Sequence, residues 1–128
     1  MIKVNVSKQS NYPVKTPVIK KRLSDFFLSQ GIVSDAEVSV AIVGEAKMVE
    51  IDKKFLKDKK LHNVFSFTPS ESKGFVYPPD GLLHLGEIVV CYPVALKEAK
   101  MENVLIDDKV CELVEHGALH LLGIHHKE

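Results

Sequence analysis

Residues 110–126 constrain this chain more than any other stretch, because they join a strongly apolar helical pattern to four of the protein's six histidines. Val110, Leu113, Val114, Ala118, Leu121 and Leu122 demand burial, so a helix here must be built into a core. His116 and His120 lie four residues apart, on one face of that helix, and can aim both imidazoles at one point. Gly123 suits the left-handed residue that ends a helix, after which the chain can fold back and bring a third imidazole to the same point. Polar rings on so apolar a helix need partners, and a shared cation would supply them. Two ligands from the helix and one from the turn fill three corners of a zinc tetrahedron and leave the fourth for water, the arrangement of a catalytic ion rather than a structural one. An isolated pair at this spacing is more often an ordinary core or surface pair. The third histidine and the glycine set this one apart.

At 128 residues and 45% hydrophobic content, the chain suits one domain, residues 1–128, around a single core. The N-terminus carries no charged leader followed by an apolar stretch, and no apolar run approaches the ~18 residues of a membrane span. A soluble, cytoplasmic protein is the expectation. Cys91 and Cys111 are then expected to be reduced and buried. The 17 basic and 17 acidic residues cancel, so global charge offers no steering toward nucleic acid. Locally, Lys53, Lys54, Lys57, Lys59 and Lys60 gather in eight positions, a pattern of solvated helix ends that is also suited to phosphates.

Alternation predicts strands over residues 2–6 and 37–43, and short apolar runs predict two more over 64–67 and 85–92. Helical spacing predicts helices over 18–30, ended by Gly31, over 45–56, and from Pro93 to about Met101. The last helix is expected to start at Asp107 or Asp108 and to lie against the sheet. Residues 69–81 hold the turn formers of a loop long for so small a domain. The order β-α-β-α-β-β-α-α combines a crossover with a hairpin, which predicts an α+β fold with a mixed sheet of about four strands.

In the metalloprotease motif, the residue after the first histidine is the glutamate that acts as base; here it is Gly117. Glu115 projects about 100° away from His116 around the helix and cannot assume that role. Glycine inside a helix costs about 1 kcal/mol relative to alanine, which suits a position where a crossing strand packs closely.

The string His116-Gly117-Ala118-Leu119-His120-Leu121-Leu122-Gly123-Ile124-His125-His126 resembles the His-Gly-x-Leu-His-Leu-x-Gly-x-x-His signature of the YbeY family of bacterial ribosomal RNA maturation endoribonucleases. Asn63-Val64-Phe65-Ser66-Phe67 and Leu85-Gly86-Glu87-Ile88 are similar to two further strands of that family, in the same order. The resemblance implies one zinc ion held by His116, His120 and His126, with zinc-bound water as the expected nucleophile and no side chain assigned to catalysis. It also implies cleavage of single-stranded ribosomal RNA, in maturation of the 16S 3′ end and in ribosome quality control, with the ribosome or its small subunit as partner.

Three positions depart from the family pattern. Ile124-His125 replaces the usual Tyr-Asp, which removes a carboxylate and makes His125 a rival ligand to His126. Leu56 falls where an arginine is usual, leaving neighbouring Lys57 as the candidate substrate-binding cation. It lacks arginine's bidentate fork. His62 stands in place of a threonine and reads as a partly exposed residue at the entry to a strand. His84 reads as structural or solvent-facing. Glu87 reads either as a hydrogen-bond partner of a ligating imidazole or as an exposed residue on an edge strand. Three functions follow from these residues: a zinc-dependent endoribonuclease, a ribosome-associated RNA-binding factor with a structural zinc and weak or lost catalysis, and a metallohydrolase of another substrate. Gly117 argues against a peptidase in the third class.

Overall fold

Strand β1 (Ile2–Lys8) and strand β2 (Ala36–Val43) alternate as their sequences require, burying Ile2, Val4, Ala36, Val38, Val40 and Ile42 on one face. The computed structural model describes residues 1–55, 61–71 and 80–123. Helix α1 (Thr16–Ser29) links the two strands, which pair in parallel. Pro17 near its start pre-sets the helical φ, and Gly31, at φ +91°, turns the chain away at its end. Helix α2 (Glu45–Phe55) follows, its exposed Lys53 and Lys54 in the last turn complementing the negative end of the helix dipole. Then come β3 (Val64–Phe67), a single 3-10 turn (Pro69–Glu71), β4 (Leu83–Cys91), α3 (Tyr92–Glu102) and α4 (Ile106–Leu121).

Among the described residues the strands form one sheet in the order β1-β2-β4-β3, with β4 parallel to β2 and antiparallel to β3. The expected mixed four-stranded α+β architecture is therefore present. The last helix begins at Ile106, ahead of both aspartates; Asp107 and Asp108 occupy its first turn, where their charge favours the helix dipole. Asp107 also accepts a hydrogen bond from the Lys15 amide at 3.0 Å, tying the start of α1 to the start of α4.

Helices α1, α3 and α4 cover one face of the sheet. Ile19, Leu23 and Phe27 of α1, Ala95 of α3, and Val110, Val114 and Ala118 of α4 meet the inward residues of β1, β2 and β4 there. On the other face α2 covers a smaller cluster of Val43, Met48, Phe67, Val89 and Cys91. Cys91 and Cys111 are buried thiols, as expected for reduced cysteines. Burial raises both thiol pKa values by disfavouring the thiolate.

Polar links fix α4 in place. Arg22 of α1 donates two hydrogen bonds to the Glu115 carboxylate, at 3.2 and 3.3 Å. The Lys109 ammonium sits 2.8 Å from Glu102, 3.0 Å from Glu112 and 3.6 Å from Glu98, on a side chain only 7% exposed. Hydrogen bonding to Glu102 above all holds its pKa well above the ordinary lysine range, so this ammonium keeps its charge throughout the physiological pH range. Glu98 also accepts a hydrogen bond from the Asn63 amide at 3.1 Å, which joins the entry of β3 to the same network. No helix among the described residues is long and apolar enough to cross a membrane.

Candidate metal centre

Helix α4 crosses β3 and β4 at Gly117. A Cβ built there would lie 2.8 Å from Cγ2 of Ile88 and 3.4 Å from Cβ of Ser66. Ile88 is fully buried, so it has little room to yield. The glycine thus lets the helix backbone approach the sheet, and the strand crossing expected from the sequence is what occupies the space. The close approach places His116 and His120, one residue before and three after it, at the rim of a cleft of about 520 Å³. Val64, Phe65, Ser66 and Phe67 of β3 line it, together with Phe55 and Glu71.

His120 is 39% exposed, and its Nε2 lies 3.7 Å from Oε1 of Glu71. His116 is exposed. That exposure corrects one expectation: a shared cation is not required to offset burial of the His116 ring, because water reaches it. What remains is two imidazoles at helical spacing, opening on the same cleft beside a carboxylate. Imidazole and carboxylate are the donor types of a zinc site. His125 and His126 lie outside the described residues, as do Leu56 and Lys57. Among the described residues, no group of three or more histidines, cysteines, aspartates and glutamates is disposed to hold an ion. The residues present fit a zinc ion as two ligands of a set that the chain beyond Gly123 would have to complete.

Glu71 was not evident as a site residue in the sequence, yet a local signal marks it. Thr68-Pro69-Ser70-Glu71 has the spacing of a capping box, and the carboxylate turns back to accept hydrogen bonds from the Thr68 amide at 2.8 Å and the Thr68 hydroxyl at 3.0 Å. The amide bond is the main reason its pKa is held below the usual carboxylate range; the nearby His120 pulls in the same direction, and partial burial opposes both. Glu71 is therefore a fixed anion facing His120.

The other two described histidines serve the frame. His62 Nδ1 is 3.1 Å from Oδ1 of Asp52, and the His62 amide donates to Oδ2 at 3.3 Å. Asp52 is 1% exposed, so this pair anchors the entry of β3 to α2, with the His62 ring 31% exposed as a strand-entry residue should be. His84 is only 9% exposed and lies between two carboxylates, 3.4 Å from Glu37 and 3.2 Å from Asp80. It does not line the cleft of His116 and His120. Its role is to hold the start of β4 to β2. Glu87 is exposed, as one expectation had it, but β4 is an interior strand rather than an edge: the side chain projects from the sheet on the α2 side and does not line the cleft of His116 and His120.

A family model described as Endoribonuclease YbeY matches residues 4–128. An Endoribonuclease YbeY from Acinetobacter baumannii (strain ACICU) is 30% identical over 131 aligned positions, which cover 98% of this chain and 82% of that protein. One from Francisella philomiragia is 31% identical over 126 residues, covering 98% of this chain and 78% of that protein. One from Dehalococcoides mccartyi (strain 195) is 30% identical over 90% of this chain and 72% of that protein. Among solved structures, the solution structure of TM1509 from Thermotoga maritima superposes with a TM-score of 0.58, over 97% of this chain and 75% of that one. At 21% identity, that likeness supports the shared fold.

Proposed function

This chain belongs to the endoribonuclease YbeY family, and on that premise we propose that it is a zinc-dependent endoribonuclease that cleaves single-stranded ribosomal RNA, in maturation of the 16S 3′ end and in ribosome quality control. The observation that carries the reading is the pair His116 and His120, set on one face of α4 and opening into a cleft beside Glu71. His116, His120 and His126 would hold the ion. When bound, the ion supplies a Lewis acid for a phosphoryl oxygen and a means of acidifying water near neutral pH.

The chain's own residues account for the rest of the chemistry. Gly117 brings the helix against β4 and so fixes where both imidazoles stand. Glu71, held ionised by Thr68, sets a negative charge 3.7 Å from the His120 ring, which favours a cation there. Exposed Lys53 and Lys54 at the end of α2 lead the chain toward Lys57, whose charge would meet a phosphate of the substrate. A ribosomal small subunit, with its exposed single-stranded RNA ends, is the partner this reading implies.

Leu56, in the position of the family's usual arginine, favours a second reading: a ribosome-associated RNA-binding factor whose zinc is structural and whose catalysis is weak or lost. One assay separates the two. Purified protein incubated with single-stranded RNA is expected to cut it, to stop after chelation, and to resume when zinc is restored. RNA that is bound but uncut in every condition selects the binding factor. Cutting that survives complete chelation removes the ion from the mechanism.

A further inference from the structure

The cleft that holds the histidines has a second wall of different chemistry. In the sheet order β1-β2-β4-β3, β3 is the edge strand. Its side chains alternate: Ser66 faces α4, where it contacts the Gly117 position, while Phe65 and Phe67 face the α2 side. The cleft therefore wraps around the edge of the sheet, with His116 and His120 on one side and Phe55, Phe65 and Phe67 on the other. Phe67 is 8% exposed and belongs to the small core. Phe55 stacks on it with ring centroids 4.9 Å apart and planes 16° apart, and Phe65 lies 5.7 Å from both. Phe55 and Phe65 are only half-buried. The Lys54 ammonium stands 5.4 Å from the Phe55 ring, and Lys53 is exposed beside it.

Half-buried rings beside the two lysines in the last turn of α2 suit a ligand that is flat, aromatic and attached to negative charge. A purely apolar peptide would gain nothing from the lysines, and paired bases in a duplex hide the faces that stack. Resting on the proposed function, we infer that Phe55 and Phe65 form a stacking wall for an unpaired nucleobase of the RNA strand whose backbone lies at His116 and His120. The edge of β3 separates the stacked base from the phosphate at the histidines, so the strand crosses it with that phosphate on the α4 side and a neighbouring phosphate beside Lys53 and Lys54. Stacking of this kind admits only single strands and ranks bases by the strength of their stacking, purines above pyrimidines.

The test uses three oligomers of equal length and phosphate number: oligo(A), oligo(U), and a chain of abasic ribose spacers. Their equal charge leaves the bases as the difference. Wild-type protein is expected to bind them in that order. Phe55→Leu and Phe65→Leu, which keep apolar volume, are each expected to reduce the preference for oligo(A) over the abasic chain by about tenfold while leaving abasic binding unchanged. Phe55→Tyr is expected to retain the preference. Circular dichroism establishes that the variants are folded. If either leucine variant does not fold, the wild type's own ratio of oligo(A) to abasic binding still decides. Equal binding of all three oligomers by the wild type, or a preference untouched in both folded leucine variants, overturns the stacking wall and leaves the endoribonuclease reading standing. A wild type that neither binds nor cuts any RNA overturns both.

Discussion

Gly86→Ala is expected to destabilise the domain by about 3–5 kcal/mol, read as a shift of the chemical denaturation midpoint. Two costs combine at this position. Gly86 sits at φ +133°, a conformation that L side chains rarely adopt, and such strain costs about 1–3 kcal/mol. A Cβ there would also meet the carbonyl oxygen of Phe67 at 2.4 Å and Cδ2 of Leu121 at 2.8 Å. The first obstacle is backbone and cannot swing aside. The second is the last residue of α4, one position beyond His120, so the helix end that carries the site would have to move with the strand. Gly81→Ala provides the control. Its φ is +74°, but nothing lies within 4 Å of its Cβ position, so only the conformational cost applies, about 1 kcal/mol. If the two variants lose equal stability, β3 and α4 do not approach β4 as described.

On the proposed reading, His120→Ala is expected to lower RNA cleavage by about a hundredfold or more, because loss of one ligand would remove the ion and the charge stabilisation it would supply. Metal-free stability should change by less than about 1 kcal/mol, since the side chain is partly exposed and fills no core position. Glu71 keeps its bonds from Thr68 when the imidazole is gone, so the adjoining turn stays capped. Cleavage at the wild-type rate in this variant excludes His120 from the site. Cleavage lost together with several kcal/mol of stability identifies a structural role instead.

Much of this arrangement was legible in local patterns. Alternation in residues 2–6 and 37–43 marked β1 and β2, and the glycine inside an apolar helix marked the crossing at Gly117, because each signal lies within a few residues of what it describes. What escaped was non-local. The partners of His84 are Asp80, four residues away, and Glu37, brought opposite by the parallel pairing of β2 and β4. The interior place of β4, which removes Glu87 from any edge, follows from the insertion of that strand between β2 and β3. The register shift that leaves Leu85 unopposed and requires Gly86 depends on the same pairing. The exposure of His116 could not be read from helical periodicity, because its apolar neighbours on α4 bury themselves against the sheet while its own ring stands over the cleft. Glu71 had a legible capping signature, but its distance from His120 is set by how α4 crosses β3.

Elemental analysis of the purified protein decides whether His116 and His120 hold an ion. The wild type is expected to carry about one zinc ion per chain, and His116→Ala close to none, as the loss of one of three protein ligands requires. Metal content that is negligible in a wild type fully active on RNA, or undiminished in a folded His116→Ala protein, would contradict their role as ligands.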